Sequence, residues 1–343
     1  MKRSHKAALL VLLVLNFNAL LAAESENPAL ELCYIEQLKA ADEKLTVLEV
    51  RALCRDLAKN EAEINPISIS PFEKRLLREK ANHDNPNVIT PHKRNYFLPV
   101  SYMDKPNNEP YAKLPTAEIT DIAELDHFES KFQLSFKAPL AESLFKQKDI
   151  LFFGFTIQSY WQMYNSEVSS PFRETNYQPE IFYGVFNDLK LGEWTNRVNV
   201  IGVEHQSNGR SQPISRSWNR VYAQFIWEND NWLMMFKPWY RLPEDNKTDP
   251  LQPDGDDNPD IDKYMGHFEF SSLYKWDEQT FSLMLRNNLR SNNRGAIQLD
   301  WTFPMGSRFK GYAQYFNGYG ESLIDYNHSI QRLGFGILLT DVF

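Results

Sequence analysis

Cysteine is nearly missing from this 343-residue sequence: Cys33 and Cys54 are the only two. A pair so sparse argues against a metal or redox centre, and in an exported chain its expected state is a single disulfide. Excess basic charge is missing too, with 37 Lys and Arg against 45 Asp and Glu, which argues against nucleic acid as a partner. Beyond the first two dozen residues no stretch approaches the roughly 18 uninterrupted apolar residues of a spanning helix, so a helical membrane protein is excluded.

The amino terminus itself has the form of a secretory signal peptide over residues 1–23. Lys2, Arg3 and Lys6 precede the apolar run Ala7–Leu15, and small residues lead to an expected cleavage after Ala23, with Leu21 bulky for its place. Aromatics are plentiful: 23 Phe, 16 Tyr and 8 Trp occur in a chain without apolar blocks. That combination suits a transmembrane β-barrel, whose lipid-facing residues alternate with polar lumen residues and whose aromatics form girdles at both interfaces.

Residues 24–64 are expected to be a small periplasmic helical segment. Leu30, Leu32, Ile35, Leu38, Leu45, Leu48 and Val50 recur among charged residues, and a Cys33–Cys54 bridge would staple it. Residues 65–93, rich in Pro and Asn, read as a linker. From Arg94 to Phe343 the period becomes two. Phe128, Phe132, Leu134, Phe136 and Ala138 share one face, with Ser130 the exception, while Glu129, Lys131, Gln133, Ser135 and Lys137 take the other. Similar stretches fall near 94–103, 149–163, 173–187, 194–208, 216–228, 231–241, 261–275, 278–289, 293–304, 307–318 and 326–343. The expected fold is therefore all-β, a 12-stranded antiparallel barrel, the even count allowing closure without an edge in lipid.

Connections alternate between short turns (Glu228–Asp230, Pro304–Ser307) and longer polar links (104–126, 164–172, 242–260). Short ends face the periplasm in such barrels, which places both termini there. Leu333, Phe335, Ile337, Leu339 and the terminal Phe343 share a parity broken only by Asp341, and a final aromatic resembles the recognition signal of the barrel assembly machinery. A soluble eight-stranded barrel of lipocalin type would need fewer strands and put its apolar parity inside.

Candidate chemistry concentrates in 199–220. His205 and Ser207 lie two apart on a strand, so their side chains share a face and the imidazole is placed to take the hydroxyl proton. Which face is ambiguous on that strand: Ile201 and Val203 share the site's parity, yet Val198 and Val200 lie on the opposite one and Asn199 on the site's own. The next strand is clearer. Asn219 shares parity with Val221, Ala223, Phe225 and Trp227, while Tyr222, Gln224 and Glu228 take the lumen side, with Ile226 the exception. A polar residue aimed at lipid is costly as mere structure. The competing function, a porin or transporter, would keep its working residues inside; lumen polars such as Glu129, Lys131 and Lys137 fit it. The cluster Asp254–Asp260 reads as a solvated acidic loop.

The stretch His205-Gln-Ser-Asn-Gly-Arg-Ser211, with Ser215-Arg-Ser-Trp-Asn-Arg220, closely resembles the bacterial outer-membrane phospholipase A family, as do Asn165–Tyr177, Lys237–Tyr240, Asp256–Ile261, Lys263–Gly266 and Gly318–Tyr326. The resemblance spans about residue 80 to the carboxyl terminus. It implies Ca²⁺-dependent hydrolysis of glycerophospholipid acyl esters at either glycerol position and of lysophospholipids. Ser207 would be the nucleophile, His205 general base then acid, and Asn219 the residue orienting the imidazole. It further implies a Ca²⁺ beside the nucleophile, with oxygen ligands from Arg210, Ser215 and, across a homodimer interface, Ser169. A second Ca²⁺ at Asp256–Asp257 is put in doubt by Gln212, which stands where an acidic partner would be needed.

Overall fold

The computed structural model describes residues 70–81, 89–113, 124–145, 148–166, 170–249, 251–306 and 309–342. The expected signal peptide, the helical segment with Cys33 and Cys54, Ser169 and Phe343 lie outside the described residues.

Alternating side chains become the two faces of one closed sheet. Its strands are β2 (Asn95–Met103), β3 (Phe128–Glu142), β4 (Asp149–Trp161), β5 (Phe172–Leu191), β6 (Trp194–Ser207), β7 (Ser217–Asn229), β8 (Trp232–Arg241), β9 (Phe268–Trp276), β10 (Gln279–Asn287), β11 (Gly295–Met305), β12 (Phe309–Tyr319) and β13 (Ser329–Thr340). Each pairs antiparallel with its sequence neighbour, and β13 closes on β2 through Arg332↔Met103 and Phe335↔Val100. A two-residue β1 (Thr90–Pro91) adds to β3. The barrel thus has the twelve strands expected. One boundary moves: residues expected to start β9 at 261 instead form a helical turn, α2 (Asp262–Met265), ended by Gly266 at φ 69°. A Cβ at Gly266 would come within 2.2 Å of Asn287 O, so only glycine fits there.

Part of the stretch read as a linker is helical. Pro71–Ala81 forms α1, because Ser70-Pro-Phe-Glu73 is a capping sequence: Glu73 N donates to Ser70 Oγ at 3.0 Å, and Pro71 needs no donor in the first turn. The helix sits inside the short-turn end of the barrel. Ser70 Oγ donates to Glu228 Oε2 (2.6 Å), Arg75 to the carbonyls of Val342 and Pro91 (3.0 Å each), and Lys137 to Glu79 (2.7 Å). Phe72 and Leu76 pack on a lumen cluster that includes Phe152, Phe182, Val198 and Val200.

At the opposite end the β12–β13 connection folds inward, burying Glu321, Ser322, Leu323, Ile324 and Asp325. Arg173 bridges Glu129 (3.0 Å) and Asp325 (2.7 Å), Arg332 bridges Glu321 and Glu129 (2.7 Å each), and Lys131 pairs with Glu321 at 2.9 Å. Mutual pairing is what allows so many charges to be buried. A cavity of 390 Å³ remains between the two plugs.

Candidate active site

Strand β6 settles its own ambiguity. Ile201 and Val203 are 58% and 50% exposed on the outer wall, whereas Val198, Val200, Gly202 and Glu204 are buried inward. Val198 and Val200 are apolar because the lumen beside them is apolar, lined by Phe152, Phe182 and Phe72. Gly202 is needed for the same packing: a Cβ there would meet the Tyr222 ring at 2.6 Å. His205 and Ser207 therefore project outward, at the end of β6 nearest the long loops.

The β6–β7 register sets His205 opposite Asn219 and Ser207 opposite Ser217. Asn219 projects outward with Val221, Ala223 and Phe225, while Trp218, Arg220 and Tyr222 are buried inside. His205 Nδ1 and Asn219 Oδ1 are 2.8 Å apart, so the imidazole donates from Nδ1 and leaves Nε2 to act as a base. Ser207 stands two residues on, at the rim of the same wall, opposite Tyr177 of β5.

The loop 208–216 is knitted by Asn208, whose Nδ2 donates to Ile214 O (2.8 Å) and whose Oδ1 accepts from the N–H groups of Arg210 (3.2 Å) and Arg216 (3.0 Å). Gly209 takes φ 63° and lies against the Tyr177 ring, giving the chain the turn that presents Arg210 beside Ser207. Arg210 spends its guanidinium on Phe172 O (2.7 Å), and Arg216 on Ser215 O (2.6 Å).

Around Ser215 the acidic loop proves structured rather than merely solvated. Ser215 Oγ donates to Asp257 Oδ2 at 2.6 Å, and Gln212 Nε2 to Asp257 Oδ1 at 2.7 Å, while Lys247 Nζ also binds that oxygen. These donors hold the Asp257 carboxyl below the ordinary range against the burial that raises it. Asp256 pairs with Arg241 at 2.5 Å. Both carboxylates suggested for a second Ca²⁺ are thus engaged by cations of the chain itself. Among the described residues no group of three or more His, Cys, Asp or Glu side chains gathers to hold a metal.

The structure brings together His205, Asn219 and Ser207 on one wall, with Arg210 and Ser215 on the adjoining loop. Two residues escaped the sequence reading, Glu244 and Lys247, both in 242–260. Asn219 Nδ2 donates to Glu244 Oε1 at 3.1 Å. The only signal for them was the length of that loop.

Polar groups this organised, on a wall otherwise covered by Ile201, Val203 and Phe225, define a transmembrane β-barrel enzyme rather than a pore. The model of the phospholipase A1 family matches residues 72–339, and the chain belongs to that family, whose members are phospholipid-ester hydrolases. Phospholipase A1 of Escherichia coli is 41% identical over 261 residues, 76% of this chain and 84% of that protein. Phospholipase A1 of Salmonella typhimurium is 37% identical over 298 residues, 87% and 96% of the two chains. Among solved structures, outer membrane phospholipase A from Escherichia coli superposes with TM-score 0.68 at 39% identity, covering 76% of this chain and 95% of that one. The Salmonella typhi outer membrane phospholipase dimer with bound calcium gives TM-score 0.67 at 38% identity, covering 76% and 94%.

Proposed function

We propose that this chain is an outer-membrane phospholipase that cleaves the acyl esters of glycerophospholipids at either glycerol position, and lysophospholipids, with a Ser207–His205–Asn219 triad. The observation that carries the reading is the 2.8 Å contact from His205 to Asn219 on a lipid-facing wall, with Ser207 on the same face. Ser207 Oγ attacks the ester carbonyl as His205 Nε2 takes its proton. Asn219 fixes the tautomer and orients the ring, stabilising imidazolium less than an aspartate would. The backbone of Gly209 and Arg210 lines the oxyanion position; the Arg210 N–H donates to Asn208 Oδ1 at 3.2 Å and must leave that acceptor to serve the oxyanion. His205 then protonates the leaving lysolipid oxygen, and water, deprotonated by His205, releases the fatty acid from Ser207.

Calcium fits the donor set. Because the Ser215 hydroxyl spends its proton on Asp257, its oxygen lone pairs remain for a hard cation, to which the Arg210 carbonyl and Ser169 of the partner subunit would add. Bound there, Ca²⁺ supplies positive charge beside the ester carbonyl. The calcium-bound dimer of the Salmonella typhi relative supports both the ion and a homodimer. A site on one exposed wall lacks an acyl pocket of its own, and a second wall would complete it.

The remaining parts of the reading are export through residues 1–23, a disulfide-linked periplasmic segment at 24–64, periplasmic termini, and insertion by the barrel assembly machinery. With that orientation the site lies at outer-leaflet height. The decisive experiment measures fatty-acid release from phospholipid–detergent mixed micelles, with and without a calcium chelator, for the native protein and Ser207→Ala. Release is expected only from native protein with calcium; equal release in all samples sinks the mechanism.

A further inference from the structure

The loop 242–260 touches the triad at one place. Leu242 N donates to Asn219 O at 2.8 Å, so the chain leaves β8 directly beside Asn219, and Asp256 N donates to Asp245 O at 2.8 Å, tying the loop back on itself. Between these two ties stands Glu244, half-buried, accepting the Asn219 side-chain amide at 3.1 Å. Asn219 therefore has both ends engaged: its Oδ1 faces His205 and its Nδ2 faces a carboxylate.

That arrangement has an electronic consequence. In a primary amide nitrogen and oxygen share one π system, so a negative charge accepting from the N–H end increases electron density on the oxygen, and hydrogen bonds in a chain strengthen one another. It has a geometric one as well, because a held Nδ2 prevents the side chain from rotating its oxygen away from His205. We infer that Glu244 is a positioning residue for the ester hydrolysis, holding and polarising Asn219 so that a neutral amide delivers part of a carboxylate's influence to His205. The inference rests on the triad reading above.

The charged groups around Glu244 leave it available for this role. Burial raises its carboxyl above the usual range, the Asn219 hydrogen bond and Arg241 oppose that, and Asp256 and Asp257 add to it. Arg241 spends a guanidinium nitrogen on Asp256 at 2.5 Å, and Lys247 is bound to Asp257. The one side-chain hydrogen bond described for Glu244 is from Asn219.

The test uses the full-length protein in mixed micelles with calcium, comparing native, Glu244→Ala, Glu244→Gln, Asn219→Ala and the Glu244→Ala/Asn219→Ala double variant. Folding is checked by the unheated gel mobility of the barrel. Glu244→Ala is expected to lower kcat about tenfold with KM nearly unchanged, the size of one charge-assisted hydrogen bond. Glu244→Gln, which keeps an acceptor but not the charge, is expected to recover part of that loss. In the Asn219→Ala background, Glu244→Ala is expected to cost nothing further, since its effect passes through Asn219. A native kcat in Glu244→Ala, or an equal loss in both backgrounds, overturns the inference. Ser207→Ala separates the two readings: if it is inactive while Glu244→Ala equals native, only the role of Glu244 fails, and if it is active the triad itself fails.

Discussion

The barrel carries two polar systems that differ in almost every respect. Inside, Glu129, Lys131, Arg173, Glu321, Asp325 and Arg332 form a network in which each charge meets an opposite one, all of them buried. Outside, His205, Ser207 and Asn219 form a thin line on an apolar wall, joined to the loop 242–260 through Leu242 and Glu244. The inner system is saturated, so none of its groups is spare for chemistry. The outer one keeps a serine hydroxyl and an imidazole on the outward face of the wall. Saturation suits structure and partial satisfaction suits chemistry, and a pore would need the reverse placement of the two.

Four substitutions test that contrast, from the largest expected effect to the smallest. Ser207→Ala should lower turnover at least about 10³-fold and leave the unfolding midpoint in denaturant unchanged; a large stability loss would show the outer line to be structural after all. Arg173→Ala should do the reverse, costing about 3–5 kcal/mol because Glu129 and Asp325 lose a shared partner in a buried site. Its activity per folded molecule should persist, which urea titration alongside an activity assay would check. Ile201→Arg, on the outer wall below the triad, should cost about 2–4 kcal/mol in bilayers if that wall meets lipid. An unchanged midpoint in liposomes would place Ile201 in water instead. Gly202→Val, inward on the same strand, should cost about 1–3 kcal/mol by driving a branched side chain into the Tyr222 ring, measured by the same titration.

Much of this was legible in the sequence, and the failures have physical causes. Strand alternation gave the barrel because polar-in, apolar-out is enforced by lipid along each strand, as Phe128–Ala138 shows. It was least reliable on β6, the strand that mattered most. There the lumen is lined by Phe152, Phe182 and α1, so Val198 and Val200 face inward and their parity mimics an outer wall. The capping sequence at Ser70–Glu73 announced α1, but Pro and Asn nearby made the stretch look like a spacer. The grouping of His205, Ser207 and Asn219 on one wall was legible because His205 and Ser207 share a strand and Asn219 breaks an apolar face. Glu244 and Lys247 were not, since their partners are fixed by how a 19-residue loop folds back, and no local period encodes that.

The hairpin register that sets His205 opposite Asn219 has a further consequence. The spacing of these two side chains is written into the pleat, not into the turns above it. Outer loops other than 208–216 and 242–260 can therefore lengthen, shorten or be exchanged by engineering while His205 and Asn219 stay face to face, so new surface recognition can be added to this barrel without disturbing that pair.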